Sequence, residues 1–271
     1  MKNIPVSALI GLFFTALYFL AAIFAPLLAP YGMAEVVGDV WEPSSAEFLL
    51  GTDNIGRDLL TRMIYGGRTT IFIATMATVI SFTTGSILGI FAAVSGGWID
   101  QCLSRFVDLI MSIPTLIFAL VVLSVTPVTV PMLILVMGLL DSTRVYRLAR
   151  AVAVDIEVMD FVEAARLRGE RTAWIIFREI LPNALSPLVA EMGLRFIFMV
   201  LFVSTLSFLG LGVQPPEADW GGIVKENKDG IVYGIPAALI PAFAIATLAI
   251  SVNLVADWVL NRTTSLKGGR G

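Results

Sequence analysis

Few residues in this chain are able to do bond chemistry. It has no histidine and a single cysteine, Cys102. Imidazole general bases, Ser–His and Cys–His nucleophile pairs and histidine proton relays are therefore excluded. An intrachain disulfide and a thiolate metal cluster are excluded as well. A phosphate-binding loop needs a lysine after a glycine, so that the ammonium reaches the phosphates. Lys2, Lys225, Lys228 and Lys267 are the only lysines, and none follows a glycine. No metal is expected either: Met111, Met132, Met137, Met192 and Met199 read as packing residues, not thioether ligands.

Charge at unusual places is what remains. Glu191 and Arg195, spaced i, i+4 in an apolar run, share one helix face. Ionisable groups at membrane depth are expensive and need a reason. Two readings stand: a neutralised pair between helices, or a pair that faces a solute pathway. Asp108, Asp141 and Arg144 read as helix-to-helix pairing near a membrane surface.

These side chains sit in an apolar chain. Hydrophobic residues are 57% and charged residues 14% of 271 positions, and mean hydropathy is +0.88. A soluble domain has about 25% charged residues. The surface must face lipid, so the chain is an all-α integral membrane protein. A net charge of −3 gives no case for a nucleic-acid partner.

Charge-free stretches place six spans near 6–29, 70–95, 103–124, 128–149, 184–208 and 236–260. The first is too long for a cleaved signal peptide. With both termini inside the cell, 12 of the 18 basic residues fall on the cytoplasmic side and 5 outside, in accord with the positive-inside rule. The expected organisation is a first helix over 1–29 and an extracytoplasmic loop over 30–69. A five-helix core over 70–260 and a cytoplasmic tail over 261–271 follow. Within the core lie a cytoplasmic loop at 155–183 and an outer loop at 210–235. Gly85, Gly89, Gly96 and Gly97 suggest close helix packing.

The cytoplasmic loop reads as two short amphipathic helices. Phe161, Ala164, Ala165 and Leu167 form one apolar stripe, and Trp174, Ile175, Phe177, Ile180 and Leu181 another. Gly169 falls where a left-handed helix end is needed, and Pro182 is expected to stop the second helix.

The wording of this loop, Glu163-Ala164-Ala165, then Gly169, then Ile180-Leu181-Pro182, resembles the EAA loop of bacterial ABC importer permeases. Glu179 departs from the general pattern, which has isoleucine there. Arg178–Asn183 is instead similar to the dipeptide/oligopeptide/nickel branch. Three other segments are similar to that branch: Gly51–Asp58 with Arg62 and Tyr65–Arg68; Ser207–Gly212 with Gln214-Pro215-Pro216 and Trp220-Gly221; and Tyr146–Arg150.

The resemblance covers roughly residues 48–260 and implies the shorter, C-type permease subunit with the type I ABC importer permease fold, in the bacterial inner membrane. It implies three kinds of partner besides the bilayer: a second, B-type permease, two ATPase subunits carrying ATP and Mg, and an extracytoplasmic solute-binding protein. This chain itself is expected to bind no cofactor and to be no enzyme. In such a protein Glu163, Ala164, Ala165, Gly169, Leu181 and Pro182 would couple to the ATPases. Asp53, Arg57, Asp58, Pro215, Pro216 and Trp220 would form an outer gate or a contact for the binding protein. Glu191 and Arg195 would be candidates for the pathway, and peptides the default solute. The competing architectures are a secondary transporter or channel driven by an ion gradient, and an intramembrane hydrolase.

Overall fold

The computed structural model describes residues 4–267, with the side chains of 186, 190 and 261–267 outside the description. The described chain is helical. The longest elements are α1 (Val6–Ile23), α3 (Leu59–Ser95), α6 (Val130–Glu157), α9 (Leu181–Phe208) and α11 (Leu239–Lys267). Shorter helices connect them: α2 (Ala25–Leu28), α4 (Gly97–Met111), α5 (Thr115–Val125), α7 (Asp160–Leu167), α8 (Thr172–Trp174) and α10 (Trp220–Asn227). Among the described residues four helices are long and apolar enough to cross a bilayer, and five if α4 and α5 together make one crossing.

α3 begins at Leu59, eleven residues before the expected start at 70, because Asp58 caps it by accepting from the Thr61 N–H (2.8 Å). At 1.5 Å per residue its 37 residues span about 55 Å. A bilayer core is ~30 Å thick, so α3 extends well outside it. α6 likewise continues past the expected end at 149 to Glu157. The two helices lie side by side. A Cβ on Gly85 would stand 2.6 Å from the Ser142 carbonyl oxygen, and one on Gly89 2.5 Å from that of Tyr146. Gly96 and Gly97 do something else: nothing lies within 4 Å of either Cβ position. Their φ values of 57° and 55° reverse the chain between α3 and α4, so they are turn residues and not packing residues.

The segment expected as one straight span at 103–124 is broken. α4 and α5 meet at 82° across Ser112-Ile113-Pro114. Pro114 has no N–H to continue the helix, and its ring drives Ile113 out of helical geometry. α4 is tied to α6 by Arg150–Asp100 and Arg147–Asp108 (2.6 Å). α1 packs on α11, with Gly11 against the Ser251 carbonyl, and α9 lies between α3, α6 and α11.

Two apolar clusters organise these helices. The larger fills the middle and outer parts of the bundle, around Leu59, Ile73, Leu133, Met137, Met199, Leu206, Ile223 and Leu248. The second gathers Ile90, Ala149, Ala153, Val162, Ala165, Ile175, Ile176, Ile180 and Ala184. It fastens the 160–184 segment to the ends of α3 and α6.

Candidate functional sites

The segment at 155–183 is built around α7. Its inward face is Val162 and Ala165, both fully buried, while Phe161, Ala164 and Leu167 point away from the protein, Leu167 being 83% exposed. The apolar stripe expected from the sequence is thus divided. Only Ala165 of it packs inward, with Val162 as its neighbour; the other three make an apolar outer surface. Glu163 is exposed beside it.

Gly169 ends α7 at φ +80°. Its N–H donates to the Arg166 carbonyl (2.9 Å), and the Glu170 N–H donates to that of Ala165 (3.2 Å). This pair of bonds is the left-handed glycine terminator expected from the sequence. Arg168 then reaches back over the ring of Trp174 and toward Glu179 (3.7 Å), closing the corner.

Pro182 does not stop the second piece. A turn of π-helix, Ile175–Ile180, runs directly into α9, and Leu181 and Pro182 occupy the first positions of that helix. The wider turn pairs the Leu181 N–H with the Ile176 carbonyl. Asn183 Nδ2 donates to the Glu179 carbonyl (2.7 Å), adding a side-chain bond to this proline-bearing turn. The corner at 169 and α9 are therefore one rigid path, with Ile175, Ile176 and Ile180 buried along it.

On the other side, residues 31–58 and 210–235 build a cap at the outer end of the bundle. Asp53 is fully buried between Arg57 (2.7 Å) and Arg62 (2.6 Å), and both arginines also reach Glu226. Two cations and two anions neutralise one another. Asn227 ties the strand-like loop to α10 by accepting from the Asn54 N–H (3.0 Å) and from Trp41 Nε1 (3.2 Å).

Trp220 is 2% exposed. Its N–H donates to Thr70 Oγ1 (3.1 Å) and its Nε1 to the Met63 carbonyl (3.0 Å), and its ring fills the space left by Gly66 and Gly67. Asp219 caps α10 by accepting from Gly221 and Gly222 N–H groups (3.2 Å each). Burial nevertheless outweighs these bonds and pushes its carboxyl up to about 7. Glu226 is also raised, by burial first, with Arg57 opposing.

Of the outer residues singled out from the sequence, Asp53, Arg57, Asp58 and Trp220 are thus buried framework. Pro215 and Pro216 stand exposed on the surface, together with Glu217.

The third site lies inside the bundle. Glu191 and Arg195 do pair on one face of α9, Nε to Oε1 at 2.9 Å. Arg195 also extends to Asp141 of α6 (3.5 Å), which is fully buried and accepts from Ser81 Oγ of α3 (2.9 Å). Arg144 approaches the same carboxylate (3.8 Å), lies over the Phe198 ring and donates to Thr115 Oγ1 of α5 (3.3 Å). One buried aspartate therefore links α3, α6 and α9, and the four charges sum to zero. The geometry agrees with a neutralised cluster between helices; Glu191 and Arg195 keep about a quarter of their side-chain surface exposed, 25% and 23%.

Residues 85–265 match the family described as binding-protein-dependent transport system inner membrane component. The chain belongs to this family. It is 34% identical over 257 residues to the di/tripeptide transport system permease protein DppC of Pseudomonas aeruginosa, covering 92% of this chain and 85% of that one. It is 31% identical over 251 residues to the dipeptide transport system permease protein DppC of Alkalihalophilus pseudofirmus (92% and 83% covered). The corresponding protein of Haemophilus influenzae is 32% identical over 257 residues (92% and 87%). Among solved structures, a chain of the MetNI methionine ABC transporter superposes with a TM-score of 0.59 at 19% identity, covering 76% of this chain and 97% of that one.

The protein is thus the permease component of a binding-protein-dependent ABC importer in the inner membrane, and not an enzyme. Membership implies partners that hydrolyse ATP and that bind solute. In this permease the 160–182 segment departs from two local expectations, the single inward stripe on α7 and the stop at Pro182. Glu226, Asn227, Asp219 and Ser81 were not singled out beforehand, and Arg62 only as part of a segment similar to the family. Their partners lie 60 or more positions away in several cases, as for Ser81 with Asp141 and Arg62 with Glu226. No local spacing announces such pairs.

Proposed function

We propose that this permease carries di- and oligopeptides or related small polar solutes inward by alternating access. It would pair with an unlike second permease and span the membrane six times, with both termini in the cytoplasm. Two ATPase subunits carrying ATP and Mg would drive it through the 160–182 segment, and an extracytoplasmic binding protein would deliver solute to the Pro215–Pro216 surface. The relatives named as peptide permeases support the solute class. In this reading the broken α4–α5 pair and the long α6, packed beside α3, would be the crossings beyond the four helices long and apolar enough among the described residues.

The observation that carries the reading is α7 itself. It presents Phe161, Ala164 and Leu167 outward while Val162 and Ala165 anchor it to the bundle. A single exposed leucine is ordinary, but an apolar face on a short charged helix, rigidly continued into α9, suits docking by another subunit. A displacement of α7 would pass through the buried 175–180 turn into α9 and so to Arg195 and Asp141.

The test replaces Leu167 with Asp and Ala164 with Asp. Both side chains are exposed, so the fold should survive; copurification of the ATPase subunits and ATP-dependent peptide uptake into proteoliposomes should both be lost. Full uptake with these changes would remove the coupling assignment. An ion-gradient transporter would need no such docking face and would keep transport without the ATPases.

A further inference from the structure

The outer ends of α1, α3 and α6 enclose, with the 210–219 loop, an open cleft of about 710 Å³. Its walls are mainly apolar, from Phe19, Ile23, Met33, Phe72, Met76 and Val130. Two formally charged side chains line it, Arg68 on α3 and Glu217 on the loop. Both are exposed, and among the described residues neither makes an ion pair with the other or with a third group. The contrast with the adjoining cap is sharp: there Arg57 and Arg62 are consumed by Asp53 and Glu226. Here a cation and an anion share one apolar cleft and leave their donors and acceptors open.

Apolar walls with a few placed polar groups are the usual make-up of a small-molecule site, and clefts of roughly 300–1,000 Å³ hold such ligands. Opposite charges that do not close on each other match a solute with a carboxylate and an ammonium held apart by its own covalent frame. A guanidinium is the side chain best shaped to take a carboxylate through two parallel N–H donors. Glu217 follows Pro215 and Pro216 directly, on the exposed loop where a delivered solute would first meet the chain.

We propose that this cleft is an entry subsite for zwitterionic solutes, in which Arg68 takes the free carboxylate, Glu217 the free ammonium, and the apolar walls the side chains between them. For peptides the assignment rests on the solute class proposed above.

The experiment uses the complete transporter in nanodiscs, without binding protein, and follows Ala-Phe by saturation-transfer NMR. N-acetyl-Ala-Phe and Ala-Phe-amide serve as the one-charge analogues. In parallel, wild-type proteoliposomes are assayed for uptake of Ala-Phe and a panel of other di- and tripeptides with the binding protein present. Wild type should bind Ala-Phe more tightly than either analogue, by about tenfold, the size expected from losing one charge-assisted contact in a partly wet site. Arg68→Met should abolish the difference between Ala-Phe and its amide and keep the preference for a free amine. Glu217→Gln should do the converse. Exchange of the two charges, Arg68→Glu with Glu217→Arg, restores a complementary pair and checks that loss in the single variants is not misfolding, as do their melting curves. Equal binding of all three compounds by wild type, or unchanged discrimination in both single variants, overturns the subsite. If wild type imports Ala-Phe while those results hold, only the subsite fails; if wild type imports no di- or tripeptide, the peptide reading fails with it.

Discussion

Arg62 offers the most direct measurement of what holds the outer cap together. It is 1% exposed, and its Nη1 meets both Asp53, which is fully buried, and Glu226. Arg62→Met keeps most of the side-chain volume and removes the charge. Asp53 then retains Arg57 Nε and two backbone donors, the N–H groups of Ile55 and Arg57 at 3.0 Å each. Glu226 retains Arg57 alone. Breaking a buried pair from one side costs roughly 3–5 kcal/mol, and the surviving contacts place this case near the lower end, about 3 kcal/mol.

The cost falls on one region, which hydrogen exchange resolves. The N–H groups of Trp41, Asp53 and Gly56 are bonded within the cap, so their exchange reports its opening. About 3 kcal/mol corresponds to more than a hundredfold faster exchange in the peptides covering 36–60. Adding Glu226→Gln restores charge balance. The double variant should recover about tenfold of that loss, a coupling of at least ~1.5 kcal/mol between close charges. If Arg62→Met changes exchange in 36–60 by less than about threefold, or if the two changes simply add, the network is not what closes the cap.

Three further outcomes are expected. Asp219 has its carboxyl raised from 3.8 to about 7 in the folded protein, so the folded state holds a proton that the unfolded chain has lost. Stability of the cap should therefore fall as pH rises from about 4 to 7 and level off above. Asp219→Asn keeps the cap acceptor and should flatten that slope, leaving only the part due to Glu226, as read by exchange in 219–227 after correction for intrinsic rates. Gly169→Ala meets no steric neighbour but must hold φ +80°, a cost of about 1–2 kcal/mol; Gly169→Asn should cost less, and uptake per ATP hydrolysed should rank glycine, asparagine, alanine. Gly89→Val should be far worse for the fold, because the Cβ alone would stand 2.5 Å from the Tyr146 carbonyl; the yield of monodisperse permease measures it.

Much of the helical layout follows from rules that act locally. Charge-free runs locate helices because lipid excludes charges, and the left-handed end at Gly169 is readable because only glycine tolerates that φ at little cost. The errors occur where a local rule met a tertiary alternative. Pro182 does break the ordinary hydrogen-bond ladder, but a π turn with Asn183 as a side-chain donor carries the helix through it. Charge in Arg62 and Arg68 suggested loop, yet both lie in α3, beyond the length that a bilayer core demands. Gly85 and Gly96 look alike in sequence; one is opposite the Ser142 carbonyl and the other has nothing beside it. The burial of Asp53 and Arg57 has no local signal, because their partners Arg62 and Glu226 come together only once α3 and α10 have packed.

Asp141 decides between two accounts of the intramembrane charges. As ballast, the cluster merely cancels what it contains: Glu191 and Asp141 against Arg195 and Arg144. As a latch, it holds α9 to α6 and α3 in one arrangement and must release for the other. Both accounts predict that Asp141→Ala alone is damaging, since two guanidiniums then share one carboxylate at membrane depth, so that variant discriminates nothing. Neutral replacement does discriminate. Asp141→Leu with Arg195→Met removes one charge of each sign and fills the space with apolar side chains. Glu191 and Arg144 lose their ion-pair partners but keep 25% and 34% of their side-chain surface exposed, where water reaches them. Buried pairs exchanged in this way often leave stability unchanged or improved by ~1–4 kcal/mol. For ballast, uptake should then match wild type. For a latch, the permease should fold and bind its ATPase subunits, but ATP hydrolysis should no longer depend on solute-loaded binding protein. The latch is the expected outcome, because Ser81, Asp141 and Arg195 join three helices and α9 is the one that continues from the 160–182 segment. Uptake and solute-dependent hydrolysis at wild-type levels in the double variant would return the cluster to ballast.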